Sequence, residues 1–189
     1  MKRRIILIRH CTPNIPNAVC SAKQASHYLA EYDKTENICF DEITAFSSPA
    51  ILDEIKQCEY VYSSPLPRAY LTARHLFEQH KIIICDALKE FNLNIVNIPF
   101  ISLSVQHWFV ISRLLWLIGL NRATKTVKQE KSRVKHFIQQ LPTEQCCVIV
   151  AHGFVIREIK NTLLKQGFSC IFLEKCGCFS VTILEYSRD

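Results

Sequence analysis

Short apolar runs alternate along this chain with stretches of helical period, and that alternation predicts an α/β sheet. The apolar runs at 5–8, 60–63, 82–85, 146–151 and 178–185 read as strands. The first, Ile5-Ile6-Leu7-Ile8, has no polar position, so it is expected to be buried on both faces, as in a parallel sheet. Helical spacing predicts helices over 21–32, 66–77, 127–141 and 155–163. Pro65 and Pro67 stand at the start of the second, where proline is tolerated, while Pro142 closes the third and Gly167 lies just past the fourth. Between 90 and 120 the pattern becomes a loop and then a very apolar helix carrying Trp108 and Trp116. With no repeat, linker or low-complexity tract, residues 1–189 are expected to form one domain, with 90–120 as a lid or cap segment.

Composition narrows the class. At 49% hydrophobic and 21% charged the chain is globular. The most apolar stretch, 101–120, is interrupted by Gln106, His107 and Arg113, so no membrane span is expected. The basic start Lys2-Arg3-Arg4 leads into an apolar run too short for an export signal, and the expected compartment is the cytoplasm. The ten cysteines are accordingly expected to be reduced thiols acting as small hydrophobes. No Cys-x-x-Cys pair is present and Cys176-Gly-Cys178 lacks partners at zinc spacing, so neither a structural metal nor any cofactor is expected. The net charge of +6 favours anionic substrates, and no specific nucleic-acid partner is implied. The basic residues of 125–135 read as a solvated helix face. Oligomeric state is not legible.

Three strand ends are chemically loaded. The first ends in Arg9-His10, the second opens into Ser63-Ser64-Pro65-Leu66-Pro67-Arg68, and the fourth ends in Ala151-His152-Gly153. Open parallel sheets place their chemistry beyond the carboxyl ends of the strands. Two imidazoles and two guanidinium groups converging there, beside a helix amino terminus, suit a dianionic phosphoryl group. The expected partner is a small phosphorylated substrate.

Taken together, Leu7-Ile8-Arg9-His10, Ser63 to Ala69 with Thr72-Ala73, and Ala151-His152-Gly153 resemble the histidine phosphatase superfamily, or phosphoglycerate mutase-like family. Residues 26–38, with Glu31-Tyr32-Asp33, and Trp108, Arg113, Trp116 and Gly119 are similar to a small bacterial branch of unassigned substrate. The resemblance implies a three-layer sandwich with a mostly parallel central sheet flanked by helices. It implies that His10 is phosphorylated during turnover and that Arg9, Arg68 and His152 hold phosphate. Glu90 matches the proton donor, although Asp86 and Glu78 lie close in sequence. Two departures stand out: Cys11 replaces the glycine that normally follows the nucleophile, and Pro16 stands where an asparagine ligand is common, with Asn14 and Asn17 as offset candidates.

Other readings remain. Cys11 as a phosphatase nucleophile lacks its cation, because position 17 is Asn. With glycine only at 119, 153, 167 and 177, no glycine-rich nucleotide loop can form. A phosphate-binding protein without turnover, or a phosphomutase, would keep the same charged residues.

Overall fold

The computed structural model describes residues 2–121, 125–142 and 145–187. In chain order the elements are β1 (Lys2–Arg9), β2 (Val19–Ser21), α1 (Ala22–Lys34), α2 (Asp41–Thr44), α3 (Pro49–Ile55), β3 (Tyr60–Ser63), α4 (Pro67–Leu76), β4 (Ile82–Ile84), β5 (Ser102–Ser104), α5 (Val105–Leu117), α6 (Val127–Gln139), β6 (Cys147–Ala151), α7 (Gly153–Lys165), β7 (Ser169–Cys176) and β8 (Phe179–Ser187). Six strands form one sheet in the order β4-β3-β6-β1-β8-β7. β1, β3, β4 and β6 run parallel, β8 is antiparallel to β1, and β7 is antiparallel to β8 and so runs with the others. β2 and β5 pair separately.

Alternation along the central strands builds two cores. Ile6, Ile8, Val148 and Val150 face α2, α3 and α4. Ile5, Leu7, Ile149 and Ala151 face α6 and α7. That is the expected three-layer sandwich. A third, smaller core joins Cys20, Ala22 and Ala25 of the β2–α1 segment to Val105 and Trp108 of α5. Trp108 is fully buried and its indole N–H donates to the Cys20 carbonyl at 2.8 Å.

Helix starts follow local chemistry. Ser21 with Gln24 and Thr126 with Gln129 make reciprocal capping boxes on α1 and α6. Proline opens α3 and α4. Gly167, at φ +91°, turns the chain out of α7 in the left-handed region that a glycine adopts without strain.

One expectation is corrected. Cys58 and Cys146 are bridged, with Cα atoms 5.3 Å apart, because the α3–β3 connection brings Cys58 beside the start of β6. The other eight cysteines are free, and Cys11, Cys20 and Cys147 are buried among apolar groups as expected. Among the described residues no helix is long and apolar enough to cross a membrane.

Candidate active site

Sheet register brings the loaded strand ends together. Arg9 is level with Ala151, and Ser63 with Val150. The residues after them are tied across the same edge: His10 N–H donates to the Ala151 carbonyl at 3.2 Å, and Ser64 N–H to the Val150 carbonyl at 3.0 Å. His10 and His152 therefore meet, with ring centroids 5.0 Å apart and planes tilted by 57°. Both rings are buried.

Their environment settles protonation. Burial pushes the His10 pKa down to about 3, and the Arg68 and Arg9 charges act in the same direction. His152 is held well below 6.5 by burial, Arg68, His10 and Arg9. His10 Nδ1 lies 2.7 Å from the Cys11 carbonyl. A carbonyl only accepts, so Nδ1 carries the proton and Nε2 keeps its lone pair. His152 Nε2 lies 2.8 Å from the Ser64 hydroxyl, while its Nδ1 is buried without a hydrogen-bond partner.

The loop after β1 is anchored on two sides. Thr72 Oγ1 donates to the Arg68 carbonyl at 2.7 Å and accepts from Cys11 N–H at 3.1 Å. Glu42 accepts from the amides of Thr12, Cys178 and Phe179 and from the Thr12 hydroxyl. Gly177 makes this possible: a Cβ there would lie 1.7 Å from Glu42 Oε1. The Cys11 side chain is fully buried in the core cluster that contains Ile6 and Ile8. Burial raises its thiol pKa to about 12, which disfavours the thiolate that a cysteine nucleophile needs.

Arg68 is almost wholly buried in the first turn of α4. Its Nη1 donates to the Tyr32 carbonyl at 3.1 Å and to Asp33 Oδ1 at 3.0 Å, and its guanidinium lies 4.3 Å from the Tyr32 ring centroid. Its Nε and the Nε of Arg9 are buried without partners. The Arg9 guanidinium rests against Gly153, where an added Cβ would sit 3.6 Å from Arg9 Cζ.

A cavity of about 880 Å³ opens above this cluster, lined by Arg9, Arg68, Glu90 and Gly153 at its charged end and largely by apolar side chains of α1 and α5 elsewhere. Glu90 accepts from Phe91 N–H at 2.9 Å and from Phe154 N–H, in the first turn of α7, at 3.4 Å. Desolvation nevertheless raises its pKa, outweighing those bonds and the nearby Arg113 charge. Asp86 and Glu78 are exposed and line no part of the cavity, and Asp86 pairs with Lys89.

Asn14 and Asn17 lie elsewhere. Asn14 donates to Asn37, Asn17 accepts from Gln106 N–H, and neither lines the cavity. The chain leaves β1 through a bridge between Pro13 and Ile38, which carries both asparagines outward. Three partners escaped the sequence reading. Ser64 was visible only as part of a motif, and the roles of Asp33 on Arg68 and Glu42 on Thr12 join residues more than 25 positions apart. Among the described residues no group of three or more His, Cys, Asp or Glu side chains could hold a metal ion.

Solved structures share the fold. A mycobacterial hydrolase superposes with a TM-score of 0.60 at 19% identity, over 98% of this chain and 92% of that one. A phosphoserine phosphatase from Entamoeba histolytica, in complex with 3-phosphoglyceric acid, gives 0.56 at 16% identity, over 96% and 89%. A mycobacterial glucosyl-3-phosphoglycerate phosphatase gives 0.53 at 20% identity, over 86% and 80%. No curated protein sequence matches. The model of the histidine phosphatase superfamily (branch 1) matches residues 50–189, a span that contains Arg68, Glu90 and His152 but not His10, which joins them through the pairing of β1 with β6. On that match, covering well over half of its length, the chain belongs to the histidine phosphatase superfamily, branch 1, which supports phosphatase activity at the level of the family.

Proposed function

We propose that the protein hydrolyses phosphomonoesters through a phosphohistidine formed on His10, without a metal ion. The observation that carries this reading is the buried His10 ring, whose Nδ1 faces the Cys11 carbonyl while burial, with the Arg68 and Arg9 charges, holds the ring neutral. Nε2 attacks phosphorus and the P–O bond to the leaving group breaks. Arg9, Arg68 and His152 hold the equatorial oxygens. With Ser64 donating to Nε2 of His152, the proton of that ring sits on Nδ1, which supplies a donor. Glu90, whose raised pKa favours its acid form, gives its proton to the departing oxygen. It then takes a proton from the water that breaks the P–N bond, and the His10 lone pair is restored.

One observation favours a second reading, a phosphate-binding protein without turnover: the Asp33 carboxylate already engages Arg68. Single-domain organisation with 90–120 as a cap belongs to the same proposal, supported by the small core that joins α1 to α5. So does a cytoplasmic setting, which the eight free cysteines favour and the Cys58–Cys146 bridge opposes.

The test is turnover of para-nitrophenyl phosphate by wild type and His10→Ala, each with and without chelator. The proposal predicts chelator-insensitive hydrolysis by wild type and a loss of at least a thousandfold in the variant. Undiminished turnover by His10→Ala refutes it.

A further inference from the structure

The phosphatase reading leaves open what the phosphate is attached to, and the walls of the cavity speak to that. Helix α5 is apolar on two sides. Its inner side, with Val105, Trp108 and Trp116, is buried against α1 and the main core. Its other side carries Val110, Leu114 and Leu117, which are 55%, 57% and 43% exposed and line the cavity. Leu29 of α1 and Phe109 line the cavity with them. Large apolar side chains kept in water along a ligand cavity mark a surface that a ligand covers.

The remaining lining is mixed, with Asp33, Lys89, Asn92, Arg113 and Arg157 beside the apolar side chains. Arg9, Arg68 and Glu90 form the charged floor. Arg113 is already engaged: it donates to the Phe91 and Asn92 carbonyls at 2.8 Å each, with its guanidinium 5.0 Å from the Trp116 ring centroid and 4.7 Å from that of Phe154, while Arg157 of α7 is exposed. Lys89, at the exposed rim, pairs with Asp86. A sugar or a base seated against Val110, Leu114 and Leu117 would leave its hydroxyls or amides without partners there. A hydrocarbon chain would not.

Resting on the phosphatase reading, we infer that the substrate is an amphipathic phosphomonoester: its phosphoryl group reaches Arg9, Arg68 and His10, and an extended apolar chain lies against α5. The chain leaves as its alcohol, protonated by Glu90. The cavity, at about 880 Å³, lies within the common range of about 300–1,000 Å³ for small-molecule sites.

The test is a series of n-alkyl phosphates from ethyl to dodecyl, each below its aggregation threshold, with wild type and Leu114→Asn. Leu114 is exposed, so the substitution does not threaten the fold. Each methylene that becomes buried raises kcat/KM about fourfold. The expected result is a rise of about a hundredfold or more from ethyl to octyl, carried mainly in KM, with a markedly shallower slope for Leu114→Asn. Turnover independent of chain length overturns the inference and leaves the phosphatase reading standing. A rise seen only with micellar or vesicle-bound substrate also overturns it, making α5 a surface-docking helix instead. Equal loss at every chain length in Leu114→Asn does the same. No hydrolysis of any ester, para-nitrophenyl phosphate included, removes the phosphatase reading and this inference with it.

Discussion

Acidifying the folded protein from pH 7 to pH 5 asks two buried imidazoles to accept protons that their surroundings refuse. In the unfolded chain each takes up a proton near pH 6.5, whereas folded His10 does so only near pH 3 and folded His152 well below 6.5. Between those limits the unfolded state binds more protons, so stability is retained above pH 6.5 and lost as the pH falls towards 3. At pH 5 the loss from His10, which stays neutral there, is about 2 kcal/mol, and His152 adds to it in the same sense. That is a large share of the roughly 5–15 kcal/mol that holds a domain together. Urea unfolding at the two pH values measures it, with His10→Gln as the control. The variant should lose about 2 kcal/mol less than wild type on acidification, or about 1 M in midpoint at an m-value of about 2 kcal/mol/M. Glu90, whose folded pKa is raised, acts in the opposite sense and cancels in the comparison. An identical acid loss in wild type and His10→Gln would show that His10 is not a buried neutral base.

Glu90→Gln should slow alkyl phosphates by about a hundredfold or more and aryl phosphates far less, since aryl leaving groups need little protonation; equal slowing in a kinetic comparison argues against Glu90 as the acid. The wild-type rate on alkyl phosphates should fall as the pH rises through the elevated Glu90 pKa. Asp33→Asn should lower the inhibition constant of inorganic phosphate severalfold, because the carboxylate competes for Arg68, and an unchanged constant would mean that this ion pair does not oppose the anion. Thiol titration of the denatured, unreduced protein should count eight reactive cysteines and ten after reduction; ten at both steps contradicts the Cys58–Cys146 bridge.

The central strands could be read from sequence because burial on both faces leaves an uninterrupted apolar run, as in Ile5 to Ile8 and Val148 to Val150. β7 could not. It carries the apolar run Cys170-Ile171-Phe172-Leu173, but as an edge strand it leaves most of those side chains exposed, so burial does not account for the run. The three-residue strands β2 and β5 and the single-turn helix α2 are too short to show a period. At the site, residues at or directly after strand ends were legible because sheet register alone brings Arg9, His10 and His152 to one edge. What was hidden depends on chain paths through loops. The Pro13–Ile38 bridge diverts Asn14 and Asn17, the placement of α1 puts Asp33 on Arg68, and 88 residues separate Cys58 from Cys146.

The nucleophile itself is open to direct observation. Rapid quenching of the enzyme during turnover of a phosphoester, followed by peptide mapping, should recover an acid-labile, base-stable phosphoryl group on the peptide containing His10. The adduct should be absent from His10→Ala. A phosphoryl group on another residue, or the same adduct in His10→Ala, would contradict attack by His10.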